Sequence, residues 1–196
     1  FFRPLRARDY VTEADVSKII KNILQALEHL HANKIIHGML RPEFIFVDPE
    51  DLSVEVSEFG LWKIVGPRIM CDAACAKMYV APEMLQNLGF GTPIDMWNVG
   101  VIAFYLLSGN PPFYGTSTEM IVESVVKADF DYPSETGWDM VSDDAIDFID
   151  FLLTASPSSR LTALYSGGQR IEVAYVYKFI DVCVFSIASA TEYCAR

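Results

Sequence analysis

The sequence predicts a mostly α-helical fold that carries one small β-hairpin, and three observations support it. Val16, Ile19, Ile20, Ile23, Leu24, Leu27 and Leu30 recur at the three-and-four spacing of one buried helical face. Residues 94–108 are apolar on nearly all sides and stop at Gly109 and Asn110-Pro111-Pro112, as a helix buried all round does. Ile45-Phe46-Val47 and Val54-Glu55-Val56 flank the turn residues Asp48-Pro49-Glu50-Asp51, which is the pattern of a short hairpin.

The helices have start and stop signals of their own. Thr12, with Asp15 three residues on, is an N-cap signature for a helix ending near Asn33. Residues 61–80 carry no regular period and read as a long loop punctuated by Gly66-Pro67. Ala81-Pro82-Glu83 opens a helical turn, and residues 89–93 form a loop before the buried helix. Thr118 to Lys127 reads as a further helix with Ile121, Val122, Val125 and Val126 on one side. Ser142 is a good N-cap, Asp143 and Asp144 complement the helix dipole, and Ile146, Ile149, Leu152 and Leu153 are the expected core face. Pro157 to Arg160 begins a last turn, and beyond Gly167-Gly168 the chain is rich in Val, Ile, Tyr and Phe without a clear period.

With 196 residues, 52% hydrophobic and 13% aromatic, the chain is expected to form one ordered domain. It begins Phe1-Phe2-Arg3-Pro4 without a Met, shows no signal peptide, and reads as part of a longer chain. A net charge of −11 with scattered Lys and Arg excludes a nucleic-acid surface. The acidic run from Asp139 to Asp150 reads either as a solvated face with an acidic first helical turn or as a docking surface for a basic peptide. No membrane span is expected, because the apolar run of residues 94–108 is shorter than about 18 residues and contains Asp95, Asn98 and Gly100. Cys71, Cys75, Cys183 and Cys194 are few for a disulfide scaffold, so a reducing, cytoplasmic compartment is expected. Cys71 and Cys75, with His29, His31 and His37 the only histidines, do not make a zinc site.

The most informative stretch is His37-Gly38-Met39-Leu40-Arg41-Pro42-Glu43-Phe44, followed after the hairpin by Glu58-Phe59-Gly60. Further blocks follow in order: Tyr79-Val80-Ala81-Pro82-Glu83, Asp95-Met96-Trp97-Asn98-Val99-Gly100, Leu107-Ser108-Gly109 with Pro111-Pro112-Phe113, and Pro157 to Arg160. In this order and spacing they resemble the C-terminal, helical lobe of protein kinases, in the manner of the calcium/calmodulin-dependent serine/threonine group. The resemblance covers residues 1–163 as the C-lobe part of a kinase domain, with 164–196 an off-pattern tail. It implies the helical lobe with its small hairpin beside the cleft. The N-terminal lobe, with its Gly-rich loop, strand Lys and helix Glu, has no counterpart in residues 1–10.

The resemblance also assigns roles. His37, Phe59, Gly60, Glu83, Asp95, Trp97, Gly100 and Arg160 fall on scaffold positions: His37 would pack under Phe59, Asp95 would bind backbone amides of the catalytic loop, and Glu83 and Arg160 would pair in the interior. The catalytic loop of the family reads H-R-D-L-x-x-x-N, with the Asp as base and the Asn and the D-F-G Asp as metal ligands. Here the base position is Met39, the Asn position is Phe44 and the D-F-G Asp is Glu58. A thioether and a phenyl ring neither accept a proton usefully nor ligate Mg²⁺, which takes hard oxygen ligands at about 2.0 to 2.1 Å. Glu58 keeps a carboxylate but adds a methylene, which leaves it a weak metal candidate. Gly38 replaces an Arg that reads activation-segment phosphate, Arg41 replaces a Lys near the transferred phosphate, and Phe46 crowds the adenine pocket.

The expectation is a catalytically inactive kinase homologue, a pseudokinase that binds or positions another protein, such as another kinase or its substrate, and needs no cofactor. A weak or atypical serine/threonine kinase that uses Mg-ATP in the full-length parent, and a degenerate, truncated product, are the other readings.

Overall fold

Thr12 starts the first helix by reciprocal capping. Its hydroxyl accepts from Asp15 N at 3.1 Å, and an Asp15 carboxylate oxygen accepts from Thr12 N at 3.0 Å. A computed structural model describes residues 11–60, 74–89 and 91–163. The expectations for residues 1–10, for the first part of the long loop, for Cys71 with Cys75 and for the tail 164–196 lie outside the described residues.

Helix α1 (Glu13–Ala32) buries the stripe that its spacing predicts, with Val16, Ile19, Ile20, Ile23 and Leu27 wholly removed from solvent. After a loop and a 3₁₀ turn at Pro42–Phe44 come β1 (Ile45–Val47) and β2 (Val54–Val56), antiparallel with Ile45 opposite Val56, Phe46 opposite Glu55 and Val47 opposite Val54. Ile45 and Val47 point inward, and the period of two puts Phe46 and Glu55 on the outer face. Asn22 on α1 donates to Leu52 O at 3.0 Å and so fastens the hairpin turn to the helix.

Within the expected loop, Ala74–Tyr79 forms a 3₁₀ helix, a local turn too short to leave a hydrophobic period. Helix α2 (Pro82–Leu85) and helix α3 (Pro93–Ser108) follow, both opened by a proline whose missing N–H costs nothing in the first turn. Helix α3 is the centre of the lobe, with α1 and the last of the described α-helices packed on it. It is buried from Ile94 to Phe104, whereas Tyr105 to Ser108 are only half-buried, because the helix emerges from the core in its last turn. Gly109 closes it at φ +72°.

Helix α4 (Thr118–Lys127) is more superficial than its apolar side predicts. Only Val125 of that side is buried. In α5 (Asp143–Leu152) the core face is Ala145, Phe148, Ile149 and Leu152, with Leu153 just beyond, and Ile146 is half-buried. The helix is turned so that Phe148, an aromatic ring, takes the interior place expected of Ile146. A Cβ on Gly100 would lie 2.8 Å from Leu153 Cδ2 and 2.9 Å from Leu152 Cβ, so α3 and α5 approach this closely because that residue has no side chain. Among the described residues no helix is long and apolar enough to cross a membrane.

The ends of α2, α3 and α5 meet at Arg160. Its guanidinium donates to both carboxylate oxygens of Glu83 at 2.8 and 3.0 Å, to Pro93 O at 2.8 Å and to Thr154 O from Nε at 3.1 Å. It also lies 5.1 Å from the ring centre of Trp97. Both partners are buried, and the fork geometry satisfies nearly every donor. Arg160→Ala leaves the Glu83 carboxylate buried and unpaired, and a loss of about 3 to 5 kcal/mol is expected. Chemical denaturation measures it, and equal midpoints for the two proteins would refute the assignment.

Candidate functional site

Asp95 sits in the first turn of α3 with no exposed surface. A carboxylate there must be met by donors. It accepts from His37 N at 2.9 Å and Gly38 N at 2.7 Å, and His31 Nε2 lies 2.7 Å from Oδ2. The backbone amides fix the start of the loop His37 to Arg41, and His31 ties in the end of α1. Gly38 has φ +78°, a conformation that suits a residue without Cβ.

His37 is wholly buried, and neither ring nitrogen has a hydrogen-bond partner of ordinary geometry among the described residues. Burial pushes its pKa below the ordinary imidazole value, against the upward pull of the Asp95 carboxylate and of nearby backbone groups. The ring faces that of Phe44 at 6.2 Å, tilted by 36°. Phe59, under which the resemblance would pack His37, is half exposed, and its neighbour Gly60 donates to His37 O at 3.3 Å with φ +77°.

The positions to which the resemblance assigns chemistry lie along this loop and about the hairpin. Met39 is half-buried against the core, and Leu40 beside it is fully buried. Arg41 places its guanidinium carbon 5.1 Å from the centre of the Phe44 ring, and its Nε is buried without a partner among the described residues. Phe46 is exposed on the outer face of the hairpin. Glu58 is exposed at φ +61°, a left-handed conformation uncommon for a residue with a side chain. Glu83, Trp97, Gly100 and Arg160 lie away from this loop, in the packing described above. Arg41, Phe44 and His37 are thus brought together, while Phe46 and Glu58 stand at the open side.

Three features escape the sequence reading. His31 continues the α1 stripe at the spacing 20, 24, 27, 31, and that was the available signal for a buried polar partner of Asp95. Asn98 donates its amide to Tyr79 O and holds the segment before α2 against α3. Tyr79 itself is largely buried, which, with Glu43 adding to it, pushes its phenol pKa well above the ordinary range. The Arg41 to Phe44 stacking has no signature beyond two residues three apart.

The protein kinase domain family matches residues 1–167. The chain is 39% identical over 155 residues to myosin light chain kinase A of Dictyostelium discoideum, covering 78% of this chain and 52% of that protein. It is 36% identical over 163 residues to calcium/calmodulin-dependent protein kinase type 1 of Caenorhabditis briggsae, covering 82% and 46%. Against the type 1B enzyme of Homo sapiens it is 37% identical over 163 residues, covering 82% and 47%. The chain therefore spans about half the length of these relatives.

The burial of His37 gives a pH dependence. The unfolded ring titrates near 6.5 and the folded one lower, so the unfolded chain takes up the proton first as pH falls. The contribution to stability is full above the unfolded value and is lost as pH falls below it. Between about pH 7.5 and about pH 5.5 the thermal midpoint should fall, and His37→Phe should flatten that slope. Proton NMR of the wild-type ring provides the second reading, and a His37 signal that titrates at or above the free value would contradict it.

Proposed function

This chain belongs to the protein kinase family, and from that premise we propose that it is a catalytically inactive member which acts by binding or positioning another protein. The observation that carries the reading is the Arg41 guanidinium stacked on Phe44. Where the family places an amide oxygen to hold a metal, this site offers a phenyl ring under a fixed positive charge, and a cation is repelled by the second as much as it is unserved by the first. Mg²⁺ does not fit this donor set. Glu58 is the remaining carboxylate among the family's metal positions, and it is exposed.

Met39 supplies no proton acceptor, and loss of a general base alone costs roughly 10² to 10⁴ in rate. Positioning and charge stabilisation supply most of phosphoryl-transfer catalysis, so the missing ligands weigh more than the missing base. The scaffold residues Asp95, Glu83 and Arg160 keep satisfied interiors, which suits a lobe retained for its surface. The partner class is a protein, such as another kinase or its substrate. A cytoplasmic location belongs to the same proposal and rests on the low cysteine usage. A second reading, a weak serine/threonine kinase in the whole protein, is supported by Glu58, which keeps an exposed carboxylate where the family has the D-F-G Asp.

The test is radiolabelled phosphate transfer to a generic basic peptide containing Ser, with Mg²⁺ or Mn²⁺, by the full-length protein and its Met39→Asp variant. Neither should exceed a blank without enzyme. Turnover by the wild type overturns the reading, and turnover by the variant alone means that the nucleotide site is intact and only the base is lost.

A further inference from the structure

Where α3 leaves the core, an open cavity of about 260 Å³ lies beside a cluster of stacked rings. Phe104, Tyr114 and Trp138 form its aromatic walls, Pro111 and Pro133 add apolar surface, and Asp131 is the charged residue in the lining. The rings are held firmly: Phe104 and Trp138 have centroids 4.7 Å apart, and Tyr132 meets both, 4.6 Å from Trp138 and 5.7 Å from Phe104, while its hydroxyl donates to Asp150 at 2.7 Å. Trp138 is 4% exposed, and its indole N–H has no acceptor among the described residues. Tyr114, by contrast, is 65% exposed at the rim.

Size narrows the occupant. Sites for drug-sized ligands run to roughly 300 to 1,000 Å³, so this cavity suits one long side chain. Charge narrows it further, because residues 129–150 contain eight Asp or Glu and no Lys, Arg or His. An aliphatic group would cover Asp131 without a partner, which is unfavourable. A guanidinium meets the lining in kind, with the exposed Tyr114 ring to pack against and the Asp131 carboxylate to pair with. Thr136 Oγ1, which already donates to Pro133 O at 2.7 Å, keeps lone pairs free to accept from it.

We propose that this cavity is a docking pocket for an arginine side chain presented by a basic segment of a partner protein. It gives the protein-binding function proposed above a surface and rests on that reading for its use. None of the lining residues belongs to the loop of Met39 and Phe44 or bonds to it through Asp95, so arginine binding and phosphate transfer are assayed as separate properties.

The probe is a fluorescein-labelled, capped decapeptide of alternating Arg and Ala, which carries no hydroxyl to phosphorylate, titrated with the whole 196-residue chain. Its citrulline counterpart, neutral but of the same shape, should bind at least about tenfold more weakly. Asp131→Asn should weaken the arginine peptide by about tenfold, and Tyr114→Ala should weaken it too. Asp147→Asn, an exposed acid outside the lining, should change affinity by no more than about twofold. Equal binding of the two peptides overturns the pocket, and so does equal weakening by the Asp131 and Asp147 variants, which would mean a diffuse acidic field. N-acetylarginine amide binding as tightly as the peptide also overturns docking, in favour of a small-molecule site. Phosphate transfer to a Ser-containing peptide with arginine discrimination intact counts against inactivity alone, whereas lost discrimination without transfer counts against the pocket alone.

Discussion

A carboxyl group wholly inside an apolar helix bundle is tolerated only if its surroundings are built to receive it, and Asp95 sets that requirement for this lobe. Three groups answer it: two consecutive backbone amides and one imidazole. Because those groups belong to the loop after α1 and to α1 itself, meeting the requirement places both relative to α3. Two residues earlier on the same helix, the carbonyl of Pro93 accepts from Arg160. The first half of α3, from Pro93 through Asp95 to Asn98, is therefore the junction through which polar demands of the interior are met, and the buried turns from Val99 to Phe104 are apolar.

The separation between scaffold and chemistry follows the same logic. Asp95, Glu83 and Arg160 are buried: removing Glu83 or Arg160 would leave the other's charge unpaired, and removing Asp95 would leave two backbone amides without their acceptor. Glu58 is exposed at the open side, and Met39 and Phe44 are half-buried, so a change at any of them is not penalised by the core in that way. A chain under pressure only to fold can alter the second set while keeping the first.

Much of the lobe was legible because its helices carry strong periods. The α1 stripe, the apolar α3 with its glycine stop, the hairpin pattern and the Thr12 and Ser142 caps all follow from local sequence. The orientation of α5 did not, since Ile146 and Phe148 are both apolar and only packing against α3 at Gly100 decides between them. The shallow burial of α4 and the 3₁₀ turn at Ala74–Tyr79 likewise depend on neighbours rather than on pattern. In the site, motif spacing pointed to the loop and to Glu58, but the stacking of Arg41 on Phe44 is a matter of rotamers that spacing does not encode. The aromatic cavity was illegible for another reason: its walls come from residues between 104 and 138 that share no local pattern.

Glu13 and Ser142 illustrate what such contacts ask of the chain in time. The Glu13 carboxylate receives Ser142 N at 3.0 Å and Ser142 Oγ at 2.5 Å, across 129 positions of sequence. A helix such as α1 can form within about a microsecond, whereas bringing its first residue to the cap of α5 requires closing nearly the whole described chain. The lobe therefore combines quickly formed local pieces with distant closures such as this one, whose entropy must be met before the contact rewards it. On a ribosome, which releases the chain from its N-terminus, α1 waits for its distant partner until α5 has emerged.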